Sequence, residues 1–509
     1  MFHRSLIARS LLLILSVSWT TPLALAQADV DDILAKVRSS LGITEEAQSW
    51  QVEGTSRELG LEGPLVAAFD SEGRFATRTG DRLRRLTGFD GETAWEVGWN
   101  GTRRILALME RERALAMNWI WTGHWSREAA PFDIERVSEE PLTLALSIQG
   151  GHFRMEMVLG DDFRPEEARW SDQGVDHRLV FSDWKSFGAL WIPGEVSQRA
   201  SVGESGAYRH TGGHAHASWV VPPWQVPNGD PIATEWTGAG GPLEVQRAKT
   251  GHLLIPVRLN EGEPCWFIFD SGAGSMCIDK EYAGGLGLQP FGHVTATGVG
   301  GPTPSGFRQA DSIQVGDLRW ESPIFVELDL AFLTKIFGIE VAGICGFEVI
   351  ARSVADIDLK EGRIGLYDPW RFALKGAEWQ GLVLHERHPV VLAKFEGDRE
   401  GLFKIDTGAV GTVSFHAPFV KEWNLLEGRD VERRHDGGVG GKIPVMYGPI
   451  EYFELGGRRF ERPNVGFATE DKGAFADQYT AGNLGSTFFE PFHLVLDYGR
   501  NRMALVPRD

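Results

Sequence analysis

The sequence predicts a mainly β protein: a β-rich amino-terminal domain followed by two matching β lobes. Three observations carry this. A short phrase occurs twice, Phe267-Ile-Phe-Asp270-Ser271-Gly272-Ala273 and Phe403-Lys-Ile-Asp406-Thr407-Gly408-Ala409. Each phrase sits in a longer frame with matched spacings. The region before them alternates apolar and polar residues between turn signals, the period of half-buried strands.

Residues 1–26 read as a secretory leader. His3, Arg4 and Arg9 give a basic start, Ser10–Trp19 a short apolar core, and Ala24-Leu25-Ala26 a small-x-small cleavage site. The core is too short to span a membrane, and no later run reaches the ~18 apolar residues a span needs. Residues 27–221 form the amino-terminal domain. Val30, Ile33, Leu34, Val37 and Leu41, closed by Gly42, mark a first amphipathic helix. Strand-like stretches such as Trp50–Gly54 and Phe75–Thr79 follow, broken at Asp90-Gly91 and Asn100-Gly101. A second helix is expected from Glu110 to about Trp121. The many Trp residues read as ordinary core. His210, His214 and His216 cluster, but no acidic residue or Cys completes a ligand set, so no metal is expected. The Pro- and Gly-rich stretch 222–241 reads as a linker. Residues 242–375 and 376–509 are the two lobes.

The lobes match well beyond the phrase. His252 and His388 each lie 18 residues before their aspartate (270 − 252 and 406 − 388). Gly298-Val299-Gly300-Gly301 pairs with Gly438-Val439-Gly440-Gly441. Ile344-Cys345-Gly346 pairs with Asn483-Leu484-Gly485. Asp358 and Asp497 each follow that last glycine by 12 residues (358 − 346 and 497 − 485). Two copies are too few for a solenoid, so the pattern is a duplicated domain.

These residues resemble the pepsin and retropepsin superfamily of aspartic peptidases, over roughly 245–509. The resemblance implies a two-lobed pair of acid-protease-type β-barrels with Asp270 and Asp406 as the catalytic dyad. Ser271, Gly272, Thr407 and Gly408 would stabilise the two loops. The segments 297–307 and 436–447 would be flaps, with Gly298, Gly300, Gly438, Gly440 and Tyr447 as candidate flap residues. The Ala after each Gly makes both motifs look like the retropepsin form, and Asn483 departs from the apolar residue usual at its place. The amino-terminal half, through its helix-first layout and the phrase Phe89–Trp95, looks similar to the periplasmic outer-membrane lipoprotein carriers. That resemblance implies an acyl chain or peptide on one sheet face; a core that binds nothing is the preferred reading.

The chemistry fits the residue types. Two carboxylates a few ångströms apart do not both ionise easily, so the pair holds one proton. The ionised member can activate a water and the protonated member can donate to the carbonyl oxygen. No cofactor is called for. The expected function is a secreted, periplasmic or extracellular aspartic endopeptidase acting on peptide or protein. The alternatives are a non-catalytic envelope carrier and a removable propeptide at 27–240. A formal charge of −19 argues against nucleic acid as a partner. Both half-sites lie in one chain, so a monomer should suffice and the fragment 242–509 should stand alone. Three cysteines, Cys265, Cys277 and Cys345, read as small buried hydrophobes. Ala273 and Ala409 offer no hydroxyl to the aspartates, so the pH optimum of activity is expected above about 4.

Overall fold

The computed structural model describes residues 21–508 except 45, 47, 173–174, 203–204, 217–218 and 229–232, with backbone alone for 21–28. The leader expected at 1–26 lies outside the described residues up to residue 20. The first helix runs Thr21–Leu41 and buries Val30, Ile33, Val37 and Leu41, the predicted apolar face. No helix among the described residues is long and apolar enough to cross a membrane.

The amino-terminal domain is one 13-stranded antiparallel sheet. Strands Ser49–Glu58 and Gly206–His216 are neighbours at its middle, so the chain winds outward from one and returns toward the other. The second helix, Leu108–Thr122, crosses between the two edges and ends at Gly123, whose φ of 77° suits glycine. Its Leu115, Ala116, Trp119 and Ile120 join Trp50, Phe69, Phe75, Phe89, Leu144 and Leu146 in one core.

That core is not filled. A cavity of about 440 Å³ lies between sheet and helix, lined by Leu65, Met117, Trp121, Trp170 and Phe181. This corrects the expectation of a solid tryptophan-rich core. The cause is a set of charged residues on the same wall. Glu58 pairs with Arg85, and Arg104 bonds both Glu96 and Glu110. Buried charges must keep their partners in fixed geometry, which stops the apolar walls from closing on each other.

The lobes are mainly β, as expected, but their sheets are open rather than closed barrels among the described residues. Lobe one builds an 11-stranded sheet and lobe two a 10-stranded sheet, and a 6-stranded sheet joins them. In the joining sheet Val354–Asp358 pairs antiparallel with Phe492–Asp497, so the equivalent strands that end in Asp358 and Asp497 lie side by side. Each lobe also contributes its closing strand, Arg363–Tyr367 or Arg502–Pro507, and its opening strand, Gly240–Pro242 or Trp379–Gly381. The predicted linker is therefore docked at both ends. Trp224 is buried and its carbonyl accepts a bond from Trp95, while Glu235–Trp236 pairs with lobe one. One hydrophobic cluster runs through both lobes, from Leu253 to Leu505.

The amino-terminal domain grips both lobes through polar contacts. Asn100 bonds the backbone of Ile324 in both directions and also Glu348. Arg352, buried in lobe one, reaches the carbonyl of Asn100 and the hydroxyl of Thr102. In lobe two the turn Glu386-Arg387, both residues at positive φ, reaches Glu110, Arg113 and Glu96.

Candidate active site

The strand Cys265–Phe269 runs parallel to Gly343–Cys345, and Arg399–Asp406 runs parallel to Gly482–Gly485. Each carboxylate thus emerges where two parallel strands end. The loops then clasp one another. The Ser271 amide donates to Thr407 Oγ1 (2.9 Å) and the Thr407 amide to Ser271 Oγ (3.0 Å). Each hydroxyl donates onward, Ser271 to the Ile405 carbonyl (2.8 Å) and Thr407 to the Phe269 carbonyl (3.3 Å). Both side chains are buried, so these bonds work in a low dielectric. The glycines are required by contact. A Cβ on Gly272 would lie 2.3 Å from Asp406 Oδ1, and one on Gly408 2.2 Å from Asp270 Cγ. The structure therefore brings together Asp270, Ser271, Gly272, Asp406, Thr407 and Gly408.

The two carboxyls face each other unequally. Asp270 Oδ1 accepts from the amides of Gly272 (2.7 Å) and Gly408 (3.2 Å). Burial and the neighbouring Asp406 charge push Asp270 up to about 8. Burial also raises Asp406, but the Ala409 amide (2.9 Å), Asp270 itself and Lys404 oppose the rise. Asp406 Oδ2 further accepts from Asn483 Nδ2 (3.3 Å). Both carboxyls are raised, so the pair favours holding one proton above the ordinary carboxylate range.

The histidines that open the lobes cross to the opposite loop. His252 Nε2 donates to the Gly408 carbonyl (2.9 Å), with its Nδ1 held by Thr250 (2.7 Å). The His388 ring abuts lobe one at Gly274, where a Cβ would stand 3.4 Å from it. The shared 18-residue spacing thus sets each ring against the opposite lobe, and His252 braces the opposing loop by a hydrogen bond.

The flap candidates form two hairpins, Phe291–Gly298 with Gly301–Gln309, and Glu432–Gly438 with Gly441–Pro449. Their tips meet, and the Gly300 amide donates to the Val439 carbonyl (3.0 Å). A Cβ would lie 2.4 Å from the Val439 oxygen at Gly298, 1.9 Å from the Gly440 carbonyl at Gly300, and 2.9 Å from the Val299 side chain at Gly438. Gly440 has a φ of 84°, and its Cβ would meet the Gly301 oxygen at 2.8 Å. Val299 packs with Ile443, Val445 and Phe475, while Val439 packs on the lobe-one cluster containing Phe307 and Ile344, so the tips exchange sides. Tyr447 pairs with Glu432 at the base of its hairpin, and its hydroxyl donates to Asp436 (2.8 Å). It secures the flap rather than bonding the aspartates.

The remaining candidates stay apart from the site. His210 donates to the Pro193 carbonyl (2.6 Å) and stacks on Trp121, and His216 stacks on Trp219. Among the described residues no group of three His, Cys, Asp or Glu could hold a metal ion. The three cysteines are free and buried. Sequence reasoning missed Lys404, His416 and Asp477, which gather behind Asp406. The one signal was Lys404, polar where lobe one has Ile268.

Residues 255–349 match the family model of an aspartyl protease. The first lobe is an aspartyl protease-like domain. The match runs from the strand Leu253–Leu259 to the helix Phe347–Ala351, and so includes Asp270 and the first flap. The second aspartate of the site lies outside the matched residues. No curated protein matches the chain.

Proposed function

We propose that the chain is an aspartic endopeptidase in which Asp270 and Asp406 act as one dyad. The observation that carries this is the pair of half-buried carboxyls set against each other by reciprocally clasped loops. Asp406, whose ionised form is favoured by the Ala409 amide, by Asn483 and by the nearby Lys404 charge, takes a proton from a bound water as that water attacks the peptide carbonyl. Asp270 gives its proton to the carbonyl oxygen as charge develops there. Asp406 then returns its proton to the leaving amine while Asp270 takes one proton back from the diol, so the carbon–nitrogen bond breaks to a carboxylic acid and an amine and the dyad regains its starting state. Ser271 and Thr407 hold the carboxyls at a fixed separation, which is the positioning part of catalysis. The crossed flaps suit an extended peptide held beneath them and kept from bulk water.

The basic start, short apolar core and small-x-small site favour export, so the periplasm or medium is the proposed location. Both half-sites in one chain favour a monomer. The cavity of the amino-terminal domain favours a second, binding role for that domain alone; it offers no reason to retain two opposed carboxylates. The test is cleavage of a peptide library by the full-length protein between pH 4 and 8, with Asp270→Asn and pepstatin as controls. Cleavage that both controls remove supports the reading. No cleavage, or cleavage that survives Asp270→Asn, rejects it.

A further inference from the structure

Lobe two places a chain of polar groups behind Asp406. Asp406 Oδ2 meets Asn483 Nδ2 (3.3 Å), Asn483 Oδ1 meets His416 Nε2 (3.1 Å), and His416 Nδ1 meets the Thr480 carbonyl (2.8 Å). Thr480 Oγ1 donates to Asp477 (2.7 Å), which pairs with Lys404. His416, Thr480 and Asp477 are fully buried, so solvent does not supply alternative partners at that end, while Asn483 and Asp406 are half-buried.

Donor accounting ties the ends of this chain together. A carbonyl only accepts, so His416 Nδ1 carries a hydrogen in every state. An amide has one donating and one accepting end. If Asn483 turns its nitrogen to Asp406, its oxygen faces Nε2 and needs a hydrogen there. The ring is then cationic and Asp406 ionised. If Asn483 turns its oxygen to Asp406, the carboxyl must hold the proton on Oδ2 and Nε2 must be bare. The two arrangements contain the same atoms. They differ by a half-turn of one amide and one proton, on Nε2 in the first and on Oδ2 in the second.

We propose that Asn483 and His416 are positioning residues that link the protonation of a buried histidine to that of Asp406, and so decide which member of the dyad ionises. This rests on the dyad reading of the site. Lobe one has nothing similar, because the residue in the place of Asn483 is Ile344. The other charged and titratable groups are placed. Asp406 is faced by Asp270, by Lys404 on its own strand and by Tyr498. His416 is faced by Asp477 and Lys404, with His385, Glu386 and His388 on the far side of that pair. Burial opposes the cationic ring of His416 and the Asp477 charge favours it, so the state of the ring is open to the charge at the far end of the chain.

The test is titration of the ring nitrogens of ¹⁵N-histidine-labelled full-length protein, with His416 assigned by His416→Phe. Asp406→Asn removes the charge at the far end and should lower the His416 midpoint by about one pH unit. Asp270→Asn removes the competitor for ionisation, leaves Asp406 charged, and should raise the midpoint. Asn483→Leu should make His416 insensitive to either change. A merely structural role would move both aspartate variants alike. Midpoints that shift together, or not at all, overturn the linkage. This readout needs no turnover, so it separates failure of the linkage from failure of the peptidase reading. In kinetics, His416→Phe should move the lower limb of kcat/KM to higher pH. His416→Gln, which keeps a donor near Nε2, should restore it. An unchanged limb in His416→Phe would contradict the proposal.

Discussion

The two lobes share a backbone and differ in what stands behind their aspartates. In lobe one Ile268 pairs with Ile344, and in lobe two Lys404 pairs with Asn483, at the same register. Asp279 and His416 also correspond. Each opens a short helix, and their amides donate to Ala342 and Ala481. Asp279 caps its helix through Tyr282 (2.9 Å), whereas His416 turns away to Thr480 and Asn483. An apolar platform is indifferent to which charge state the carboxyl adopts. A polar chain is not. A duplicated fold thus yields two chemically unlike carboxyls, and two groups pushed apart in proton affinity are what acid and base roles need. The flaps differ as well. The first is braced by the amino-terminal domain, with the His293 amide donating to Leu59 (2.7 Å) and Arg82 stacked 3.4 Å over Phe291. The second is braced by its own Tyr447–Asp436 bond.

The largest effect should come from deleting the amino-terminal domain. The earlier expectation that fragment 242–509 stands alone gives way to the polar contacts at the boundary. Removal strips the Asn100 and Thr102 partners from buried Arg352 and the Glu96 partner from Arg387. Water then takes the place of these partners, so what is lost is the fixed geometry that the domain imposes on lobe one. The fragment should fail to fold cooperatively, or exchange amide hydrogen faster at 291–309 than at 432–449. Equal exchange in both flaps would remove the asymmetry claimed for them.

Lys404→Met should come next, destabilising by about 3 kcal/mol or more, because Asp477 is left buried and unpaired. Ile268→Met at the matching place should cost less than about 1.5 kcal/mol. Urea denaturation of both measures the contrast, and equal losses would break it.

Asp270→Asn should do the reverse at neutral pH. Its carboxyl is raised to about 8 in the fold, against about 3.9 unfolded. The native state therefore binds more protons between these values, and stability falls as pH rises through the window. The variant escapes that loss and should gain about 1 kcal/mol or more at pH 7, with the gain vanishing toward pH 4. Thermal melts across that range check it. The smallest effect should be Tyr447→Phe, about 1 kcal/mol from the lost bond to Asp436. It should loosen the second flap and raise KM more than it lowers kcat.

The site was legible in the sequence because its geometry forces residue types. Gly272 and Gly408 leave room for the opposing carboxyl, Ser271 and Thr407 supply both donor and acceptor, and duplication repeats the set. The histidine spacing was visible, although its cross-bracing role was not. Asn483 was visible only as a flaw in a motif, since its partners His416 and Asp477 lie 67 residues before it (483 − 416) and 6 before it (483 − 477). The domain interface was hidden for a related reason. Asn100, Arg352 and Glu386 meet through tertiary folding and follow no period. Paired ions facing inward on a strand look like solvated ones in sequence, which is how Glu58, Arg85 and Arg104 concealed the cavity.

The central claim is that Asp270 and Asp406 act as one unit. The most direct measurement is kcat/KM for the wild type, Asp270→Asn, Asp406→Asn and the double variant, on one peptide at one pH. Each single variant should lose several orders of magnitude, and the double should lose little more than either, because the first change already abolishes the shared proton. Losses that multiply in the double variant, or near-wild-type turnover in either single one, would contradict it.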